Sequence, residues 1–378
     1  ASGYLGGRLL RELIHTPNRL RAMARRPEGL ETEWKDQIDV VQADVLKPET
    51  LGAALEGVEI AYYLIHSMGG GSGFEEREAT SARNFGTAAK KAGVKLIIFL
   101  GGLSDDAEEL SPHMRSRHQT GEILRQSGVP VVEFRASIIL GAGSLSFEMI
   151  RALVQRLPIM VTPKWAYVEA QPISVDDLLK YLVQALKLPA YETAIYEIGG
   201  ADVVSYKDVM STYAEERGLK RYFLPVPVLS PYLSSLWLGL VTPLFARVGR
   251  KLIESVTHPS VVQTELPKGR FDVNPCGLKE AISRSLDEED QGYATTRWSD
   301  SLSAGNTLKT WAGVRFGTRL VDSRAETTKL PPKQVFKAIE AIGGETGWYY
   351  GNFLWGIRGG IDELLGGVGM RRSRRHPD

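Results

Sequence analysis

The first 140 residues alternate short apolar runs with longer stretches of helical periodicity. This order is typical of βαβ units, which build a parallel sheet covered by helices on both faces. Strands are predicted at residues 19–25, 38–42, 60–65, 95–100 and 129–134. A long, alanine-rich helix is predicted over residues 75–92. The pattern therefore predicts an α/β chain whose residues 1–150 form a doubly wound parallel sheet of the Rossmann type.

Beyond that region the regular alternation is lost. Residues 151–320 keep mixed α/β character, and we interpret them as a substrate lobe that returns to the sheet. Residues 321–378 have the pattern of a second, α+β domain, with a strand-like segment at 325–330 and a helix that starts at Pro331-Pro332. We expect the chain to be cut at both ends, so that the first strand and part of the second domain are missing.

Composition excludes several classes of protein. The 46 basic and 45 acidic residues leave a net charge of +1, so nucleic acid is not an expected partner. Cys276 is the single cysteine, no zinc-binding cysteine pattern is present, and no signal peptide precedes Ala1. We therefore expect a cytoplasmic protein.

Residues 222–246 carry no formal charge and are long enough to cross a bilayer. Four prolines interrupt this segment, and each removes a helix hydrogen bond that hydrocarbon cannot replace. Three interpretations stay open: a buried or pocket-lining segment with a helix at 232–240, a surface that contacts a membrane or a protein, and a membrane span.

The chain begins Ala1-Ser2-Gly3-Tyr4-Leu5-Gly6-Gly7, and an amphipathic helix follows at once. With one more glycine in front, the spacing becomes G-x-x-G-x-x-G. Such a turn lets the backbone approach a pyrophosphate, and the helix behind it offers free N–H groups and the positive end of its dipole. We interpret Ser2, Gly3, Tyr4, Leu5 and Gly6 as cofactor-binding residues, with a purely structural turn as the alternative.

Further cofactor residues are expected after the next strands. A dinucleotide site that prefers NAD(H) has an acid after the second strand, whereas this chain has Arg25-Arg26. Two guanidinium groups suit a 2′-phosphate, so NADP(H) is preferred over NAD(H), unless the pair is only a solvated basic turn. Asp44-Val45 is placed to contact the adenine, and Ile65-His66 the nicotinamide ribose. Asp44 could equally cap a helix, and His66 could be a core histidine.

A catalytic pair is harder to find. No lysine in the chain has a tyrosine four positions before it, so the Y-x-x-x-K pair of short-chain reductases is absent. The expected segment has His113 and Arg117 at those two positions, with Ser104 as the nearest hydroxyl at the preceding strand end. Histidine can exchange protons near neutral pH, but arginine cannot, so these two catalytic candidates leave turnover open.

These residues resemble an atypical, extended short-chain dehydrogenase/reductase of the NmrA-like kind, and more narrowly the YbjT-type NAD(P)-binding proteins. The resemblance covers residues 1–315 and includes Ala43-Asp44-Val45, Phe134-Arg135-Ala136 and the motif Gln171-Pro172-Ile173-Ser174-Val175-Asp176-Asp177. Residues from about 322 resemble a fused domain of unknown function, and more distantly a helix-grip fold that encloses apolar ligands.

The resemblance implies a Rossmann-type fold and leaves two functions open. One is an oxidoreductase that transfers a hydride to a carbonyl or quinone-like substrate held against the apolar middle region. The other is a non-catalytic sensor or scaffold, as NmrA-like regulators and the related accessory subunit of respiratory complex I are. The expected partners are a dinucleotide and an apolar small molecule.

Overall fold

The computed structural model describes residues 1–25, 27, 30, 37–66, 73–104, 110–189, 191–226, 258–290, 314–316, 319–321, 328, 330–341 and 353–358. The chain divides into two compact units, Ala1–Asp322 and Ser323–Asp378.

Parallel strands form the centre of the first unit. Through Pro225, the described strands of this unit are β1 (Arg21–Ala24), β2 (Asp39–Gln42), β3 (Ile60–Tyr63), β4 (Leu96–Gly102), β5 (Val131–Ala136), β6 (Ile139–Leu140), β7 (Ile159–Thr162), β8 (Glu169–Ala170), β9 (Ile173–Ser174), β10 (Ala194–Ile198), β11 (Val204–Ser205) and β12 (Tyr222–Pro225). All of them pair in parallel except β8 and β11, which pair antiparallel. One sheet has the order β10-β5-β4-β3 and is parallel throughout, while β1 and β2 pair in parallel as a separate ribbon. The predicted α/β class and its parallel sheet are confirmed.

Helices alternate with these strands. They are α1 (Tyr4–Leu13), α2 (Leu51–Leu55), α3 (Phe74–Ala92), α4 (Pro112–Gln126), α5 (Leu145–Arg156), α6 (Val175–Gln184), α7 (Tyr206–Glu216) and α8 (Leu278–Asp290). All five strands predicted in the first 140 residues are present, with ends that differ from the prediction by no more than two residues. The helix predicted over residues 75–92 is also present, as α3.

Strand β4 shows why helices cover both faces of the sheet. Its first four residues are apolar and fully buried, so neither face is left to water. Leu96 and Ile98 pack into a core with α1 and α6, whereas Ile97 and Phe99 pack into a second core with α2, α3 and α4. The two cores hold the carboxyl ends of the parallel strands at one edge, where open α/β sheets bind their ligands.

The middle region forms a lobe on α5, α7 and α8 with its own apolar core. The Gln171–Asp177 motif fastens this lobe to the sheet. Gln171 donates to the carbonyl of Gly200 (2.8 Å) and accepts from the backbone of Val262 (3.0 Å). The carboxylate of Asp177 accepts from the backbone N–H of Cys276 at 2.9 Å. The motif therefore joins chain segments that are up to 99 residues apart in sequence.

The charge-free segment 222–246 begins with β12, which pairs in parallel with β7. Its residues from 227 onward, including the helix predicted at 232–240, lie outside the described residues. Within the described part of the chain, no helix combines the length and the apolar character that crossing a membrane requires.

The first unit ends with β13 (Val314–Phe316) and β14 (Arg319–Val321), and the second unit contains α9 (Pro332–Glu340). The two strands pair antiparallel, and the helix predicted after Pro331-Pro332 is present. A strand over residues 325–330 is wrong for its described members, Thr328 and Leu330. The hydroxyl of Thr328 accepts from the backbone of Leu330 at 3.2 Å, and this local turn leads into the helix instead.

Candidate cofactor site and histidine cluster

The glycine turn lies at the carboxyl end of β1. The nitrogen of Ala1 donates to the carbonyl of Met23 (2.9 Å), and α1 begins at Tyr4 with Gly3 as its N-cap. A Cβ on Gly6 would lie 2.8 Å from the carbonyl oxygen of Ala1, so this close approach requires glycine. A Cβ on Gly3 would meet no atom within 4 Å. Among the described residues, no atom fills the space beside Gly3 at the N-terminus of α1, and this space suits the pyrophosphate of a dinucleotide.

Tyr4 and Arg8 lock this turn to the chain that follows β6. The guanidinium of Arg8 stacks over the ring of Tyr4 and donates to the carbonyl of Ala142 at 2.8 Å. A Cβ on Gly141 would clash with the hydroxyl of Tyr4. Burial raises the pKa of the Tyr4 phenol well above its ordinary value, so this tyrosine is no substitute for the missing catalytic tyrosine.

Of the predicted basic pair, Arg25 is exposed and directly follows β1. Its carbonyl accepts from the amide of Gln42 at the end of β2 (3.1 Å). Arg26 lies outside the described residues. The predicted contact of Arg25 with the adenine ribose stays a prediction.

Asp44 and Val45 follow β2, and both take part in local structure. One carboxylate oxygen of Asp44 accepts from the backbone of Leu46 at 3.0 Å, which is a local turn and not the helix cap considered for this residue. The short helix at Pro48 has Lys47 as its N-cap, without a side-chain cap. The carbonyl of Val45 accepts from the side chain of Asn84 on α3 at 2.8 Å. These bonds fix the loop after β2 at the same sheet edge as the glycine turn.

Arg117 is buried, with 7% of its surface exposed, and its guanidinium is bound to main-chain groups. It donates to the carbonyls of Ile65, after β3, and Leu100, near the end of β4, and it stacks over the ring of Phe99. The geometry gives Arg117 a structural task, because it holds two strand ends together beneath the site.

His66 and His113 lie side by side at this edge. Their Nε2 atoms are 3.0 Å apart, and the other ring nitrogen of His66 lies 2.8 Å from Oε1 of Glu78. Oε2 of Glu78 accepts from the hydroxyl of Ser116 at 2.8 Å. Glu78 is only 4% exposed, so its carboxylate is held away from water. The structure thus brings two predicted residues, one from each list of candidates, into a single hydrogen-bonded cluster.

Ser104, the candidate hydroxyl after β4, pairs with a different histidine. Its Oγ lies 3.1 Å from Nε2 of His118, and Ser104 itself is largely buried. Two histidine-centred contacts therefore lie along α4. In the described part of the chain, that of His113 extends through His66 to the carboxylate of Glu78.

The sequence analysis missed Glu78, Ser116 and the pairing of His118. A signal for Glu78 was available in α3, where buried positions follow helical spacing at 78, 82, 85 and 89. Three of these positions are apolar and the fourth is a glutamate. An acid within an apolar stripe indicates a buried partner, although it does not identify that partner.

Comparison with known proteins agrees with this geometry. Residues 1–139 match a family model described as NAD(P)H-binding, and residues 316–378 match a family described as protein of unknown function (DUF2867). A search of curated proteins found no match.

Several solved structures share the fold of the first unit. Triphenylmethane reductase from Citrobacter sp., also solved with NADP(H), is 20% identical with a TM-score of 0.62, over 76% of this chain and 97% of that one. An NADPH-dependent quinone oxidoreductase from Escherichia coli, solved with NADPH, is 19% identical with a TM-score of 0.60, over 75% and 96%. A nucleoside-diphosphate-sugar epimerase from Staphylococcus aureus is 17% identical with a TM-score of 0.59, over 75% and 97%.

The parallel sheet and the family match together define the class: residues 1–139 form a Rossmann-type domain that matches an NAD(P)H-binding family. The first unit shares its fold with the two reductases and the epimerase described above, and residues 316–378 match the family of unknown function. The NAD(P)H-binding region and the fused domain that were inferred from the sequence are confirmed.

Proposed function

We propose that this protein is an NADP(H)-dependent reductase that acts on a carbonyl or quinone-like substrate, with His113 as the proton donor. The observation that carries the proposal is the histidine contact at the carboxyl edge of the sheet. His113 stands where short-chain reductases have their tyrosine, and it is hydrogen-bonded to His66 behind the end of β3. An imidazole there can exchange a proton near neutral pH, which the buried Tyr4 phenol cannot.

The cofactor preference rests on Arg25 and Arg26. A guanidinium pair after the second strand of a Rossmann fold suits a ribose 2′-phosphate better than a free hydroxyl. Two neighbours of the same fold are described with NADP(H) or NADPH, which supports the same preference. A carboxylate that would favour NAD(H) is absent from positions 25 and 26.

This proposal assigns a role to each part of the site. The reduced nicotinamide supplies a hydride, and the substrate oxygen then needs a proton. The glycine turn and the start of α1 bind the phosphates, Arg117 keeps the ends of β3 and β4 in place, and His113 donates the proton. The quinone oxidoreductase and triphenylmethane reductase neighbours favour a flat, unsaturated acceptor.

The test mixes the full chain with NADPH and a panel of quinones and aldehydes, and follows loss of nicotinamide absorbance. We expect turnover that falls by about a hundredfold or more in His113→Asn, since general acid catalysis typically contributes that much. His15→Asn is the matched control, because His15 is exposed at the end of α1, and it should keep full activity. Saturable NADPH binding without turnover of any acceptor would rule out the reductase for that panel.

The second candidate function is a dinucleotide sensor or scaffold without turnover. The hydrogen bonds of Arg117 favour it. Its guanidinium is engaged by main-chain carbonyls, so it does not resemble the lysine that activates a catalytic tyrosine. In that case NADPH would raise the melting temperature of the chain through binding, and His113→Asn would leave this shift unchanged.

A further inference from the structure

We propose that Glu78, His66 and His113 form one proton relay, in which His66 and Glu78 are positioning residues that recharge His113 from the protein interior. The relay deepens the proposed reductase function and takes its catalytic meaning from it. Its physical basis, a shared proton between two histidines backed by a buried carboxylate, can be tested without any substrate.

Hydrogen-bond polarity fixes how the three groups can be protonated. A carboxylate only accepts, so the Nδ1 of His66 must carry a proton that it donates to Oε1 of Glu78. A single proton can lie between the two Nε2 atoms, because one of them must donate and the other accept. The tautomer of His113 is therefore set by the charge state of His66.

Burial makes an unpaired charge on Glu78 costly, so its carboxylate needs partners. Glu78 is 4% exposed, and its second oxygen accepts from Ser116, so both oxygens are held. Among the described residues, Tyr63 of β3 lies near enough to Glu78 to sense its charge, and Arg117 of α4 lies near Tyr63. Burial raises the pKa of Tyr63, which therefore stays neutral.

Neither of these neighbours can exchange a proton with Glu78 near neutral pH. Arg117 is permanently protonated and is bound to main-chain carbonyls. Among the described neighbours of Glu78, His66 can take up a proton beside the carboxylate, and a nearby carboxylate favours the imidazolium form.

The proton balance of one turnover follows. Before reaction, His66 is an imidazolium that donates from Nε2 to Nε2 of His113, and His113 carries its own proton on Nδ1. The hydride adds two electrons to the substrate carbon, and the Nδ1 proton of His113 passes to the substrate oxygen. The Nε2 proton of His66 then passes to Nε2 of His113. His113 ends as the other neutral tautomer, His66 ends neutral, and one proton has left the cluster.

The first experiment needs no cofactor. In the full chain labelled with ¹⁵N-histidine, the side-chain nitrogen signals of the six histidines are titrated by NMR and assigned with His66→Asn and His113→Asn. We expect His66 and His113 to titrate together, and Glu78→Gln to lower their shared midpoint by about one pH unit or more. The matched control is Glu76→Gln. Glu76 lies two residues before Glu78 on α3 and is exposed, so its replacement should leave the shared midpoint of the two histidines unchanged.

The second experiment measures kcat/KM against pH. Activity should fall as pH rises through the titration of the relay, because the protonated form is the proton source. Glu78→Gln should move this fall to lower pH and reduce kcat at pH 7 by about tenfold or more, whereas Glu76→Gln should match the unmodified chain. Should Glu78→Gln not fold, His66→Asn serves instead, since it should remove the joint titration and uncouple His113 from Glu78.

The outcomes separate the two proposals. Joint titration that responds to Glu78→Gln, in a chain without turnover, would support the relay and overturn the reductase. Turnover whose pH profile is the same in Glu78→Gln and Glu76→Gln, with independent titration of the two histidines, would overturn the relay and leave the reductase standing.

Discussion

Two buried carboxylates in the first unit show how the same group can be used in opposite ways. Glu133, in the middle of β5, is fully buried and contacts the guanidinium groups of Arg125 and Arg135. Glu78, at the sheet edge, is almost as buried but contacts His66 and Ser116. The burial of the two acids is nearly equal, and the difference lies in the partners.

The partner decides whether a buried charge can change. Arginine stays protonated at every pH at which the protein is folded, so the counter-charges that face Glu133 are fixed. Histidine gains and loses a proton near pH 7, so Glu78 faces a charge that can come and go. The first arrangement serves the fold, and the second is suited to moving protons.

Removing the interior acid should have the largest effect on stability. Glu133→Ala leaves Arg125 and Arg135 without counter-charge in a site where they are 23% and 13% exposed. We expect a loss of about 3 kcal/mol in the free energy of unfolding, the lower end of the range for broken buried pairs. Denaturant melts at several pH values should give the same loss between about pH 6 and 8.

The exposed Glu122 on the neighbouring helix is the matched control for Glu133. Its replacement by Ala should change stability by no more than about 0.5 kcal/mol. If the cost of Glu133→Ala varied strongly with pH, the contrast between fixed and titrating partners would be lost.

Adding one methyl group next to the interior acid should cost less. A Cβ on Gly121 of α4 would lie 2.5 Å from Oε2 of Glu133, and the ion pairs resist a shift of that oxygen. Overpacking of about 1–3 kcal/mol, partly offset by the better helix propensity of alanine, gives a net loss of about 1 kcal/mol for Gly121→Ala. Gly52→Ala on α2, where a Cβ meets nothing within 4 Å, should instead stabilise slightly. Thermal unfolding of the two variants checks the opposite signs.

Replacing the two arginines of the candidate cofactor site should weaken dinucleotide binding and leave the free energy of unfolding almost unchanged. Arg25→Ala combined with Arg26→Ala should alter stability by no more than about 0.5 kcal/mol. The same double variant should weaken NADP(H) by about 1.5–3 kcal/mol per lost charged hydrogen bond, with NAD(H) little affected. Titration calorimetry with both dinucleotides measures the difference, and Arg83→Ala, exposed on α3, is the control. Equal weakening of both dinucleotides would refute contact with the 2′-phosphate.

The same contrast explains how far sequence reasoning reached. The strands and α3 could be predicted because their apolar periodicity is local, and the parallel order follows from strands that alternate with helices. The glycine turn and His113 could be predicted because both are fixed by position in that order. The strand predicted over residues 325–330 was wrong because a hydrogen bond from the backbone of Leu330 to the Thr328 hydroxyl forms a short turn before the helix. In the sequence, the spacing of apolar residues in such a turn is the same as in a short strand.

The partner of a buried acid could not be predicted, because it comes from another element. Glu78 is 12 residues from His66 and 38 from Ser116, and only the packing of α3 against α4 and the end of β3 brings them together. His66 and His113, 47 residues apart, were assigned separate tasks for the same reason. Sequence periodicity shows that Glu78 faces the interior, whereas the packing of the helices and strands determines which side chains contact it.

The contact between Cys276 and Asp177 affects the reactivity of the Cys276 thiol towards oxidants. Burial, together with the adjacent Asp177 carboxylate, raises the pKa of the thiol to about 11. Peroxides and alkylating agents attack the thiolate, which is then about one part in ten thousand at pH 7. We therefore expect the single thiol of the chain, at the point where the lobe is fastened to the sheet, to react slowly with peroxide at pH 7.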